Sequence, residues 1–240
     1  MAQFFQWLST QFWFFFHNIG VHLYDAVILE DRWKMILEGL GTTIIITLIA
    51  IVIGTVIGVA ACLCKLSRNK FLRTVGNVYV EVIRGTPTVV QLLIIYYGIF
   101  GSVNLNKIVI ASIAFGINSG AYIAEIIRAG ILSVDSGQME AGRSLGLNHW
   151  QTMFSIILPQ AVKNILPTYT SEFIVLLKET AIVGYIALID LTKAGDQIRA
   201  ATYDAWTPLI IVAIIYLCLT LSLAKLFGLL ERRLRKSDLR

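Results

Sequence analysis

Two Glu-x-x-Arg steps stand out in a sequence otherwise poor in charge: Glu81 with Arg84, and Glu125 with Arg128. On a helix the i,i+3 spacing puts acid and base on one face, where they can pair with each other or with a neighbouring helix. Further along, Glu172 and Glu179 are seven residues apart and share a face, with Lys178 beside the second. Acids and bases in such settings can form ion pairs that break and re-form, hold the charged ends of a polar solute, or carry a proton. They do not compose a hydrolytic or redox centre. No G-x-x-x-x-G-K-[ST] loop for nucleotide phosphates, no H-E-x-x-H and no G-x-S-x-G is present. Cys62, Cys64 and Cys218 sit inside apolar runs, and His17, His22 and His149 are scattered. Neither a metal site nor a disulfide framework is indicated, and no cofactor is expected on this chain.

The elements that carry these charges belong in a membrane. Of 240 residues, 57% are apolar and only 15% charged, against about 25% charged in soluble domains. Mean hydropathy is +0.74. Five segments are long enough to cross about 30 Å of hydrocarbon, near Gly41–Leu63, Val78–Phe100, Ile108–Ile127, Tyr169–Ile189 and Pro208–Leu230. The sequence thus predicts an all-α integral membrane protein with five transmembrane helices: an N-terminal segment over residues 1–40, a membrane domain over 41–230 and a basic tail over 231–240. Phe4–Phe16 is aromatic and too short to span, which suits an interfacial anchor; a sixth span through Phe4–Leu29 would have to bury Gln11, His17, Asn18 and His22. The net charge of +5 reflects basic residues at span ends and argues against nucleic-acid binding. Lys65, Arg68, Lys70 and Arg73 follow the first span, and Arg232, Arg233, Arg235 and Lys236 follow the last. Both groups are expected in the cytoplasm, with the N-terminus outside and the C-terminus inside. The loops Gly101–Lys107 and Asp190–Trp206 are then external.

Within the spans, polar residues need protein or water rather than lipid. If spans two and three pack together, Glu81 meets Arg128 and Glu125 meets Arg84, as a gate or as anchors that fix helix depth. Pro87 removes a backbone hydrogen bond and predicts a kink or short unwound segment in span two, which is structural or exposes dipoles along a solute path. Gln91 lies one turn beyond. Asn118 and Tyr122 add hydrogen-bonding capacity to span three. A charge at mid-bilayer costs about 2.5–3.5 kcal/mol, so Glu172, Lys178 and Glu179 should face a cavity, a solute or a second subunit. Gly54 with Gly58, and Gly116 with Gly120, have the small-xxx-small spacing of helix packing.

The loop over residues 128–168 is the longest. Asp135 followed by Gln138 predicts a helix start near Ser136, and Gly146 a stop. Asn148 followed by Gln151 predicts a second, amphipathic helix that ends before Pro159. Ala141, Gly142 and Ser144 are small enough to let another surface come close, while Glu140 and Arg143 offer charge. Either this is a docking knob for a soluble partner or it is an ordinary solvated loop.

Glu140-Ala141-Gly142, then Gly146, then Ile156, Leu158 and Pro159 resemble the signature of ATP-binding-cassette importer permeases. That signature is Glu-Ala-Ala, three residues, Gly, nine residues, Ile, one residue, Leu-Pro; Gly142 replaces the second Ala. The resemblance covers about Gly39 to Lys236. Arg84-Gly85-Thr86-Pro87 with Gln91 and Tyr96-Tyr97-Gly98, Ala121-Tyr122-Ile123-Ala124-Glu125 with Arg128 and Gly130, Gly137-Gln138, and Leu177-Lys178-Glu179-Thr180 resemble its polar amino acid branch (glutamine, histidine and arginine type). The resemblance implies a type I importer transmembrane fold in the bacterial cell membrane. The short helix carrying Glu140, Ala141, Gly142, Arg143, Ser144 and Gly146 would couple to a partner ATPase that binds ATP and Mg. It also implies an external amino-acid-binding protein and a second permease subunit, identical or a sister. The alternative is an ion-coupled secondary transporter using Lys178 or Glu179 as a proton site, against which stands the lack of a clear inverted repeat.

Overall fold

The structure, a computed structural model, describes residues 20–235, in which every regular element is helical. The readings placed on Phe4–Phe16 and on the last residues of the basic tail lie outside the described residues. Without water to bond the backbone, an apolar chain satisfies its amides within helices, and the first span does so at length. Helix α1 (Arg32–Leu66) begins ahead of the expected Gly41, after two left-handed residues, Glu30 and Asp31. The stretch before it is held down: His22 Nδ1 lies 3.1 Å from Asp204 Oδ2, and Arg32 Nη2 lies 2.9 Å from Glu30 Oε2. Extended Ser67 ends α1, and the Asn69 side chain accepts from Phe71 N to open α2 (Lys70–Arg84). Gly85-Thr86-Pro87 interrupts the helix, and α3 (Thr88–Ile99) leaves at 106° to α2. Of the two expected forms, a kink or a short unwound segment, the chain takes the second.

Asn106 caps α4 (Lys107–Leu132), the most enclosed of the long helices. A hairpin follows, built of α5 (Gly137–Ser144) and α6 (His149–Thr152). A wider turn over Met153–Ile157 carries α6 directly into α7 (Leu158–Glu179). Pro159 thus does not end a helix: it lies in the first turn of α7, where its missing amide donor is least needed. After a tight helical stretch, Thr180–Ile186, the supposed external loop forms α8 (Leu191–Thr202), whose first amides donate to the Asp190 carboxylate. The sequence hid this helix because its polar face breaks the apolar pattern. The last helix, α9, spans Thr207–Arg235.

Glycine decides how the centre packs. A Cβ on Gly58 would lie 2.7 Å from Ile123 Cγ2, and one on Gly116 would lie 2.6 Å from Ile53 Cγ2. Contacts below 3 Å are not tolerated, so α1 and α4 meet nearly backbone to backbone; the small-xxx-small spacing marks each for close packing, and the fold makes them partners. Gly130 admits Ile165 of α7 in the same way. Around this seam Ile46, Ala50, Leu92, Phe115, Ile123, Leu176 and Val183 form one buried cluster.

Among the described residues, the run Gly20–Leu66, α4 and α9 are long and apolar enough to cross a membrane, and the bent α2–α3 pair adds a fourth when its two arms are counted as one span. The fifth expected span, Tyr169–Ile189, falls on the second half of α7 and the tight stretch after it. Lys163, Glu172, Lys178 and Glu179 dilute that helix below the composition of a simple span.

Candidate functional site

The first candidate is the hairpin. Asp135 Oδ1 accepts from Gly137 N at 2.7 Å and starts α5, but the reciprocal arm of a capping box is absent: Gln138 Oε1 instead accepts a long contact from Gln160. At the far end Gly146 has φ +85°, with its amide donating to Arg143 O and that of Leu147 to Gly142 O. This is the left-handed glycine stop that the sequence predicts. Asn148 and Gln151 form the expected capping box, at 2.9 and 2.8 Å.

Gly142 differs from its sequence reading. A Cβ there would lie 2.5 Å from Thr152 Cγ2, so its smallness serves the inner face of the hairpin rather than an approaching partner. Glu140, Ala141, Arg143, Ser144 and Gly146 are all exposed, and Ser144 Oγ donates to Glu140 O. The hairpin tip also bears Leu145, 81% exposed, with Trp150 stacked on Phe154 nearby at 6.0 Å. A rigid helix with two charges and an uncovered leucine suits a groove on another protein.

The second candidate lies between the long helices. Glu125 accepts from Lys65 at the end of α1 and from Arg128 Nη2, the latter at 2.9 Å. The cross-pairing of Glu81 with Arg128 and of Glu125 with Arg84 does not form. The glycine seam brings the end of α1 alongside α4, so Lys65 reaches Glu125 first. Lys65 was missed from sequence because its place after an apolar run reads as an orientation signal. Glu81 is exposed.

Arg84 instead lies over the Tyr122 ring, 5.2 Å from its centroid. Ser119 Oγ donates to Glu172 Oε1 at 2.9 Å, and Arg84 and Glu179 are both within electrostatic reach of Glu172. Three helices, α2, α4 and α7, therefore bring Arg84, Tyr122, Ser119 and Glu172 to one place. Thr55 and Tyr169 join α1 to α7 beside it through hydroxyls 2.6 Å apart. Gln91 and Asn118 are bonded to each other at 2.9 Å, and Gln91 lies just past the break at Pro87. Lys178 points out of the protomer, exposed and without a salt bridge among the described residues, while Glu179 is half-buried beside it. The cluster thus offers a cation over an aromatic ring and, near it, a carboxylate held by a serine hydroxyl.

Residues 50–236 match the family described as binding-protein-dependent transport system inner membrane component. The arginine transport system permease protein ArtQ of Bacillus subtilis (strain 168) is 41% identical over 205 residues, covering 85% of this chain and 94% of ArtQ. A putative glutamine transport system permease protein, GlnP, of Rickettsia bellii (strain RML369-C) is 39% identical over 202 residues, covering 83% and 92%. Among solved structures, a crystal structure of an amino acid ABC transporter with histidines superposes with a TM-score of 0.79 at 48% identity. It covers 83% of this chain and 94% of the solved one.

Proposed function

Since the chain belongs to the family of inner membrane components of binding-protein-dependent transport systems, we propose that it is the permease subunit of an ATP-binding-cassette importer that carries a polar amino acid. Its helices form the membrane path, and the α5–α6 hairpin docks on a partner ATPase that holds ATP and Mg. An external binding protein delivers the amino acid, and a second permease subunit, identical or a sister, completes the path. The N-terminus is outside. The basic residues Lys65, Arg68, Lys70, Arg73, Arg232 and Arg233 support a hairpin end on the cytoplasmic side of a bacterial cell membrane.

The observation that carries this reading is the hairpin. Its inner face is closed by Gly142 against Thr152, its stop is fixed by left-handed Gly146, and its exposed side presents Glu140, Arg143 and Leu145. A merely solvated loop has no need of that order. Between the helices, Arg84 can take the carboxylate of an amino acid and Glu172 its ammonium, with Tyr122 supplying a ring face. Names of relatives that refer to arginine and glutamine support the substrate class.

The test is reconstitution in liposomes with an ATP-binding-cassette ATPase and an amino-acid-binding protein from the same organism. ATP-dependent accumulation of a labelled polar amino acid is expected, with no hydrolysis by the permease alone. Accumulation driven by an ion gradient with no ATPase present would overturn the reading.

A further inference from the structure

In an unbroken helix each carbonyl accepts from the amide four residues on. For Ile83 that residue is Pro87, which has no amide hydrogen. The donor comes from elsewhere: Gln91 Nε2 lies 2.7 Å from Ile83 O. The same nitrogen lies 3.1 Å from Thr86 O and 2.6 Å from Thr86 Oγ1. The Thr86 hydroxyl in turn donates to Val82 O at 2.9 Å. Two side chains thus stand in for backbone donors on the two carbonyls facing the break. Gln91 Oε1 then accepts from Asn118 Nδ2 on α4 at 2.9 Å. Gln91 is 8% exposed and Asn118 only 2%. The reverse amide orientation would set Oε1 against two carbonyl oxygens, so the network fixes which end faces which.

We infer that Gln91 and Asn118 form a splint across the broken second span: a positioning pair that sets α3 relative to α2 and α4 and makes no contact with the transported solute. Both hydrogens of the Gln91 amide and one of the two lone pairs on its oxygen are used inside the protein, which leaves no donor to offer a ligand. The arrangement also explains why a proline is tolerated at the turn beside Arg84. A carbonyl left without a donor in apolar surroundings is costly, and the splint removes that cost while fixing the bend. Arg84 lies at the end of α2, so the splint also governs where its guanidinium sits over Tyr122. This inference rests on the permease reading for its kinetic consequences, but the bend itself can be measured without it.

The experiment pairs two measurements on the full chain. Spin labels at exposed Val78 on α2 and exposed Tyr97 on α3 report the distance across the break. Uptake in liposomes with the partner ATPase and binding protein reports the maximal rate and the apparent KM. Q91L and N118L should each broaden the distance distribution and lower the maximal rate about tenfold, the scale of one lost buried hydrogen bond, with KM unchanged. The double variant should be no slower than the worse single, because both act through one contact. T86V keeps the side-chain volume, removes one hydroxyl and should give an intermediate broadening; it serves if the leucine variants do not accumulate in the membrane. A raised KM with an unaltered distance distribution would make Gln91 a solute contact and overturn the inference. So would a distribution as narrow as wild type in T86V and in whichever leucine variant accumulates. Absence of any wild-type uptake would count against the permease reading, while the distances would still decide the splint.

Discussion

Lys65 crosses the seam between α1 and α4 to reach Glu125, and Arg128 binds the same carboxylate from one turn further along α4. One acid is thus shared by two bases. The Lys65 and Glu125 side chains are only 12% and 20% exposed, so the pair is shielded more than a surface bridge. Sharing suits an acid that must stay ionised next to hydrocarbon.

E125Q leaves two cations facing each other around a neutral amide. It should cost about 2 kcal/mol, below the 3–5 kcal/mol of a fully buried pair because solvent still reaches part of the site. K65M should cost less, since Arg128 keeps its bond to the acid. Thermal unfolding of the purified chain in detergent separates the two. An E125Q variant as stable as wild type would show that the shared acid holds nothing together.

Under the proposed docking role, variants of the hairpin separate docking from folding. E140K reverses an exposed charge, and G146D places a side chain at φ +85°, where glycine is favoured. Both should keep normal membrane abundance and lose about tenfold or more in uptake, through repulsion or misalignment at the docking contact. G142V should do the opposite, lowering abundance, because its Cβ has nowhere to go beside Thr152. Uptake, co-purification of the ATPase and abundance are the three readouts. Normal transport by both E140K and G146D would remove the hairpin from the coupling path.

That contrast marks what a linear sequence can disclose. The Gly146 stop, the Asn148–Gln151 cap, the break at Pro87 and the two small-xxx-small spacings were legible because each depends on residues within a few positions; that the two spacings meet in one seam was not. Lys65 with Glu125 was not, since the partners are sixty residues apart. Nor could Gly142 be assigned its inner-face role before Thr152 was known to lie opposite. Helix α8 was hidden for another reason: it carries Lys193, Asp196 and Arg199 on one side, so its composition reads as loop. Gln91 was read as a candidate for the gate or the solute path; its use at the break depends on a carbonyl eight residues back.

E172Q preserves the volume and an acceptor for Ser119 while removing the charge. Under the proposed path it should raise the apparent KM for the delivered amino acid about tenfold, the scale of a lost charge-assisted contact, with ATPase co-purification unchanged. The measurement is uptake against substrate concentration in liposomes. An unchanged KM would mean that Glu172 serves packing with Ser119 and not the solute.

Acid should act on α8 in a defined window. Lys193 and then Arg199 donate to Asp196 and hold its carboxyl below the usual carboxylate range. A depressed native value gives stability that is present above the unfolded acid's value, about 3.9, and lost as pH falls below it. The gap in unfolding temperature between wild type and D196N should therefore be constant from pH 8 to about 5 and close below about 4. It should be small throughout, because the side chain is more than a third exposed. A gap that widens on acidification would reverse the sign of the pairing.

The glycine seam has a mechanical consequence. Backbones that interlock at Gly54, Gly58, Gly116 and Gly120 cannot slide past one another without driving Ile53 or Ile123 into main chain. Helices α1 and α4 must then travel as a single strut. Under the proposed transport role, a chain that opens on one side and closes on the other has to bend elsewhere, at joints such as the angled α2–α3 corner and the wide turn between α6 and α7. The molecule carries its own fixed axle, and the hairpin is mounted at the end of it.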